Sequence, residues 1–149
     1  KGADDMLSFA NECKVIVCKS GVAAGTTAVE DATIVDMQNY DSVAFVAVLG
    51  ADTADTAVVT LSAVCGNDAA LSDGVEKAAK AEYTATSDTD ADGKALILDV
   101  IRPGTRYARA KVGRATANAE VLAVLAILYM GNNIPGEAGD ALARAVSVN

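Results

Sequence analysis

The chain has 149 residues, carries a formal charge of −8 from 20 acidic and 12 basic side chains, and contains neither histidine nor tryptophan. A chain of this length forms one domain that buries about 70% of its unfolded surface, so packing alone can hold it without a staple. Lack of histidine removes the commonest general base, nucleophile activator and metal ligand, and the acidic balance argues against general nucleic-acid binding, so catalytic and nucleic-acid functions both lose ground.

The apolar fraction of 52% is inflated by alanine and aromatics are only 4%, which predicts a thin, sheet-rich core of small and β-branched side chains. Cys13, Cys18 and Cys65 are an odd set without a Cys-x-x-Cys spacing and read as reduced, buried side chains. Cys13 and Cys18 have an odd separation and would point to opposite faces of a strand, which argues against a bridge between them.

Residues 1–12 read as a polar arm with Met6, Leu7 and Phe9 embedded, either a short helix capped near Asp4 or Asp5 or an extended segment. A first strand is expected at 14–19, ended by Ser20-Gly21, and a second at 32–37 after a loose stretch. In 42–49, Val43, Phe45, Ala47 and Leu49 share one face and Ala44, Val46 and Val48 the other. Both faces are apolar, so this strand is central and covered twice, or faces a core on one side and a partner on the other. Residues 56–64 alternate as a half-buried strand, 80–87 resume the period of two, and 94–101 and 121–130 are strongly apolar runs. Those last two, with the basic segment between them, read as neighbouring strands of one sheet, a Pro103-Gly104 turn joining the first pair. The run 121–130 is half the length a membrane helix needs, and no secretory signal opens the chain, so no membrane partner and synthesis in a reducing cytoplasm are expected. Residues 132–136 close the domain, and 137–149 form a tail, a short helix started by Asp140 or an arm that reaches a neighbour. The organisation expected is an arm at 1–12, a domain at 13–136 and the tail. Eight short strands without a long helix predict an all-β protein, an antiparallel β-sandwich with jelly-roll wiring.

Two strings carry candidate chemistry. In 88–99, Asp88, Asp90 and Asp92, with Gly93 and Asp99, match the positional spacing of a calcium loop. The final ligand is Asp instead of Glu and the flanks are strands, so a solvated hairpin turn without metal or cofactor is the expected reading. The second string is basic: Arg102, Arg106, Arg109, Lys111 and Arg114 give this window +5 and leave −13 for the rest of the chain. Tyr107, Arg109 and Lys111 share one side of the strand, and with Arg114 they are the expected contacts to an acidic protein partner, for which arginine's planar fork suits a carboxylate. Arg106 lies with Ala108, Ala110 and Val112, where an ion pair within the subunit is expected. The alternative for the whole window is a solvated face paired with carboxylates of the same chain.

The succession of strands at 41–50, 56–64, 94–103 and 105–112 and the closing alanine-rich strand through Tyr129, with the Asp99-Val-Ile-Arg-Pro turn and the Arg106-Tyr107 pair, resembles small virion structural proteins of tailed bacteriophages, typified by head decoration or cement proteins. That resemblance implies a non-enzymatic β-sandwich, made in the host cytoplasm, that binds the major capsid protein on the outer surface of the head and holds capsomers together. Avidity on a repeating lattice then multiplies modest contacts. Two strands apolar on both faces predict self-association as well, as a homotrimer. A head-to-tail connector or tail-completion protein of the same virion is the alternative. A carbohydrate-binding module is more remote, because exposed aromatic rings are scarce.

Overall fold

The computed structural model describes residues 8–132 and 138–147. A single-turn helix, α1 (Phe9–Glu12), opens them, its N-terminus capped by Ser8, whose hydroxyl accepts the Asn11 N–H at 3.2 Å. The caps expected at Asp4 or Asp5, and the apolar Met6 and Leu7, lie outside the described residues.

Nine strands follow among the described residues: β1 (Lys14–Gly25), β2 (Val35–Asp36), β3 (Tyr40–Leu49), β4 (Val58–Gly66), β5 (Val75–Glu76), β6 (Ala81–Thr84), β7 (Ala95–Val100), β8 (Tyr107–Ala115) and β9 (Ala119–Gly131). All pair antiparallel, in two sheets. The first has the order β1-β9-β3-β7; the second has β2-β8-β4, with β5 and β6 meeting the remaining edge of β4 at its two ends. The protein is an all-β sandwich. Its core is the pair of inner faces, where Val43, Phe45 and Leu49 of β3 and Val121, Val124 and Leu128 of β9 meet Val59 and Leu61 of β4 and Val112 of β8, all buried. Alanines at 47, 63, 108, 110 and 126 take the intervening inner positions and let the sheets approach closely, as the alanine-rich composition requires. Each fully buried Val, Leu or Phe contributes about 1.5–3 kcal/mol.

Three expectations need correction. The basic strand β8 does not lie in the sheet of its apolar neighbours: β7 and β9 flank β3 in the first sheet, while β8 lies between β2 and β4 in the second. Pro103-Gly104 is therefore a corner between sheets, with Gly104 at φ 74° as the turn demands. Second, β1 does not end at Ser20-Gly21. It continues through Gly21, whose φ of 62° is absorbed inside the strand, and its register with β9 shifts between Val17 and Lys19 and again between Val22 and Gly25. Third, the tail is not helical where it is described. Gly139 bridges Val15 in parallel and the Asp140 N–H donates to the Val15 carbonyl at 2.6 Å, so this part of the tail lies against its own chain.

Candidate functional site

The two outer sheet faces carry opposite chemistry. On the second sheet, β8 turns Tyr107, Arg109, Lys111 and Gly113 outward, next to Gly66, Val64, Ser62 and Thr60 of β4. Lys111 pairs with Glu30 at 2.8 Å, Lys80 with Glu76 at 3.0 Å, and the Thr60 hydroxyl donates to Glu82 at 2.9 Å. Carboxylates from three other segments thus turn the basic strand into a face of mixed sign. Arg109 makes no hydrogen bond or ion pair among the described residues, although its charge helps to lower the Asp31 carboxyl, which Lys19 chiefly holds down.

Arg106 meets Asp36 with both arms of its fork, Nε to Oδ1 and Nη2 to Oδ2 at 3.0 Å each, and its Nη2 also donates to Gln38 at 2.9 Å. The guanidinium lies 5.2 Å from the Tyr107 ring centroid and holds the Asp36 carboxyl below its ordinary range. Arg114 departs from its expected role as a partner contact. Its Nε donates to the Thr27 carbonyl at 2.6 Å and its Nη1 to those of Ala23 and Ala119 at 2.7 Å, so it fastens the end of β1 and the start of β9 to β8. Sequence reading could count these charges but could not find their partners, which come from distant segments.

The acidic loop disperses its carboxylates. Asp88 accepts the Asp55 N–H at 2.7 Å, while one oxygen of Asp90 accepts the Tyr83 hydroxyl at 2.6 Å and both the N–H and hydroxyl of Thr86 at 2.8 Å. These donors hold the Asp90 carboxyl well below the usual range. Asp99 sits on the outer face of β7 and accepts the Tyr129 hydroxyl. Among the described residues no three acidic or cysteine side chains gather around a common point. The loop leads from β6 in one sheet to β7 in the other, so it is a crossover and not the hairpin turn expected.

The outer face of the first sheet is mostly apolar across all four strands. Register places Val17, Leu125, Val46 and Ile97 in one row across all four strands, Val15, Ile127, Ala44 and Asp99 in the next, and Ser20, Ala123, Val48 and Ala95 in a third. Val17 is 45% exposed and Ile97 63%. Asp99 is the sole charged member of these rows, and its hydrogen-bond partner Tyr129 has its phenol pushed up to about 12 by burial and by that carboxylate. At one end, α1 overhangs β9 beside an open, mostly apolar cavity of about 570 Å³ with Phe9, Glu12, Ala44, Ile127 and Met130 in its lining. Apolarity on both sides of 42–49 foretold part of this face; the contributions of Val15, Val17 and Ile97 required knowledge of pairing.

All three cysteines are free and buried, and burial pushes the Cys18 thiol up to about 11. No helix among the described residues is long and apolar enough to cross a membrane. No protein-family model matches the chain, and no curated protein matches it.

Proposed function

We propose that this chain is a non-enzymatic virion structural protein, a capsid decoration or cement protein that attaches to the major capsid protein on the outer surface of a phage head and stabilises the contacts between capsomers. The observation that carries the reading is the four-stranded apolar outer face. Away from α1 and the tail the described residues leave this patch open, and continuous exposed apolar patches mark protein interaction sites. Self-association, expected as a homotrimer, would draw on the part of that face that the capsid leaves open. Consecutive strands alternate between the sheets at β1, β2, β3 and β4 and again at β7, β8 and β9, which supports jelly-roll wiring. Tyr107 and Arg109 on the opposite face, and Lys111 through an exposed pair that contributes little, are the groups left to meet acidic residues.

The copy number of the protein in purified particles tests this. Decoration requires a copy for every repeat of the lattice. A single ring of copies would instead assign the chain to the neck or tail, and absence from particles would sink both readings.

A further inference from the structure

We propose that the outer edge of β7 is a docking site for an extended acidic segment of a partner protein, which adds to the first sheet as a fifth strand. This edge adjoins the apolar sheet face at Ile97, while its free backbone groups lie outside that face.

Backbone geometry fixes which groups are available. The Leu49 N–H donates to the Lys94 carbonyl at 2.8 Å, and the Arg102 N–H to the Ser42 hydroxyl at 3.0 Å. Between these bonds the register sets Leu96, Leu98 and Val100 opposite Ala47, Phe45 and Val43, so these residues of β7 bond to β3. Ala95, Ile97 and Asp99 consequently aim their N–H and C=O groups away from the sheet, where they meet no partner among the described residues. The opposite edge is treated differently. At β1 the Val17 N–H donates to the Asp140 carboxylate at 2.7 Å, Asp140 and Thr33 donate their N–H groups to the Val15 and Cys18 carbonyls at 2.6 and 2.9 Å, and two register shifts bend the strand. Proteins blunt their edge strands in these ways to prevent pairing with other chains. β7 has no bulge, proline or lysine within it, and offers a straight template.

Space and charge beside that edge define the occupant. A groove of about 320 Å³ runs between β7 and the 77–79 connection of the second sheet. Lys77 and Arg102 line it and Lys94 stands at the start of β7; none of these side chains makes a hydrogen bond or ion pair among the described residues. Asp99, whose carboxylate is bonded to Tyr129, and Asp90, which lines a neighbouring cavity with Lys94, contribute nearby negative charge. Lys77 and Arg102 beside the groove, with Lys94 just before β7 at its other end, favour an anionic segment in a chain of net charge −8. An added strand takes its hydrogen bonds from the backbone and its selectivity from alternate side chains. Ile97 and Ile101, 63% and 62% exposed, offer apolar contacts, and Lys77 and Arg102 offer sites for carboxylates. A second copy of β7 fits poorly, since it would bring the same three cations to face their counterparts.

The test uses the whole chain and a fluorescein-labelled heptapeptide of alternating valine and glutamate. Fluorescence anisotropy should show saturable binding that weakens with salt, and amide hydrogen exchange should slow at Ala95, Ile97 and Asp99. K77E/R102E should lower the affinity about tenfold or more. Methylating alternate peptide nitrogens should abolish binding to the parent protein, a result that decides the matter even if the double variant loses stability. Equal binding of a peptide with lysine in place of glutamate would overturn the proposal. So would protection that appears elsewhere, or protection of these amides in the free protein that vanishes on dilution, which would assign the edge to self-pairing.

Discussion

Four basic residues close together in β8 and its approach have four different surroundings. Arg106 is forked onto Asp36, Lys111 pairs at the surface with Glu30, Arg109 stands without an ion pair among the described residues, and Arg114 donates to three carbonyls of its own chain. Arg114→Ala should therefore destabilise the fold by roughly 2 kcal/mol, because three carbonyls lose a charged donor, a fall of about 5 °C in a domain of this size. Arg109→Ala should leave the melting temperature within a degree or so. Calorimetry on the two variants distinguishes them, and equal melting temperatures would remove the fastening role of Arg114. Acid should act through Asp90 and Asp36, whose carboxyls are held low by their donors. A carboxyl with a lowered folded pKa contributes stability above its unfolded value of about 3.9, and that contribution is lost as the pH falls through the folded value. The urea midpoint should thus be flat near neutrality and drop below about pH 4. In Asp90→Asn the drop should be shallower and the neutral midpoint lower; an unchanged profile would contradict the assignment. At this scale the sequence disclosed charges and their spacing, while the pairing of Arg106 with Asp36 joins positions 70 residues apart that no local pattern connects.

The strands themselves were the most legible elements. Alternation located the inner and outer residues of β3, β4 and β8 because side chains on a strand change face at every residue. It failed where the local pattern does not encode the outcome. Ser20-Gly21 looks like a stop, but a strand held by β9 along its length absorbs one residue at positive φ. The two-residue β5 is too short to have a period, and only β4 defines it. The sheet to which β8 belongs is a property of the whole fold. Edge protection of β1 by the tail was likewise invisible, although Gly139 carries its signature: its φ is 64°, and a side chain there would fall 2.2 Å from the Val15 carbonyl oxygen. Deleting residues 138–149 should preserve cooperative unfolding yet speed amide exchange at Val17, which loses the Asp140 carboxylate. Unaltered exchange at Val17 would show that the tail does not close this edge.

For the molecule as a whole, the division of the surface is the informative property. One sheet face mixes Arg109, Lys111, Glu76 and Glu82; the other presents Val17, Leu125, Val46 and Ile97 in a single uncharged row. Copies of a chain with net charge −8 repel one another, so an uncharged face is where self-association costs least. Light scattering should accordingly find an oligomer at micromolar concentration, and a monomer at every concentration would confine assembly to the partner's surface. Docking of the apolar face onto an assembled capsid is tested most directly by Val17→Lys/Leu125→Lys, which places two charges within one row, away from the β7 edge. Both side chains lie on the outer face, so the melting temperature should stay near the parent's. The decisive measurement is the number of copies bound per undecorated phage head, parent against variant at equal concentration. The parent should fill the lattice and the variant should leave it largely bare. Equal occupancy by both proteins, or no binding by the parent, would contradict the account.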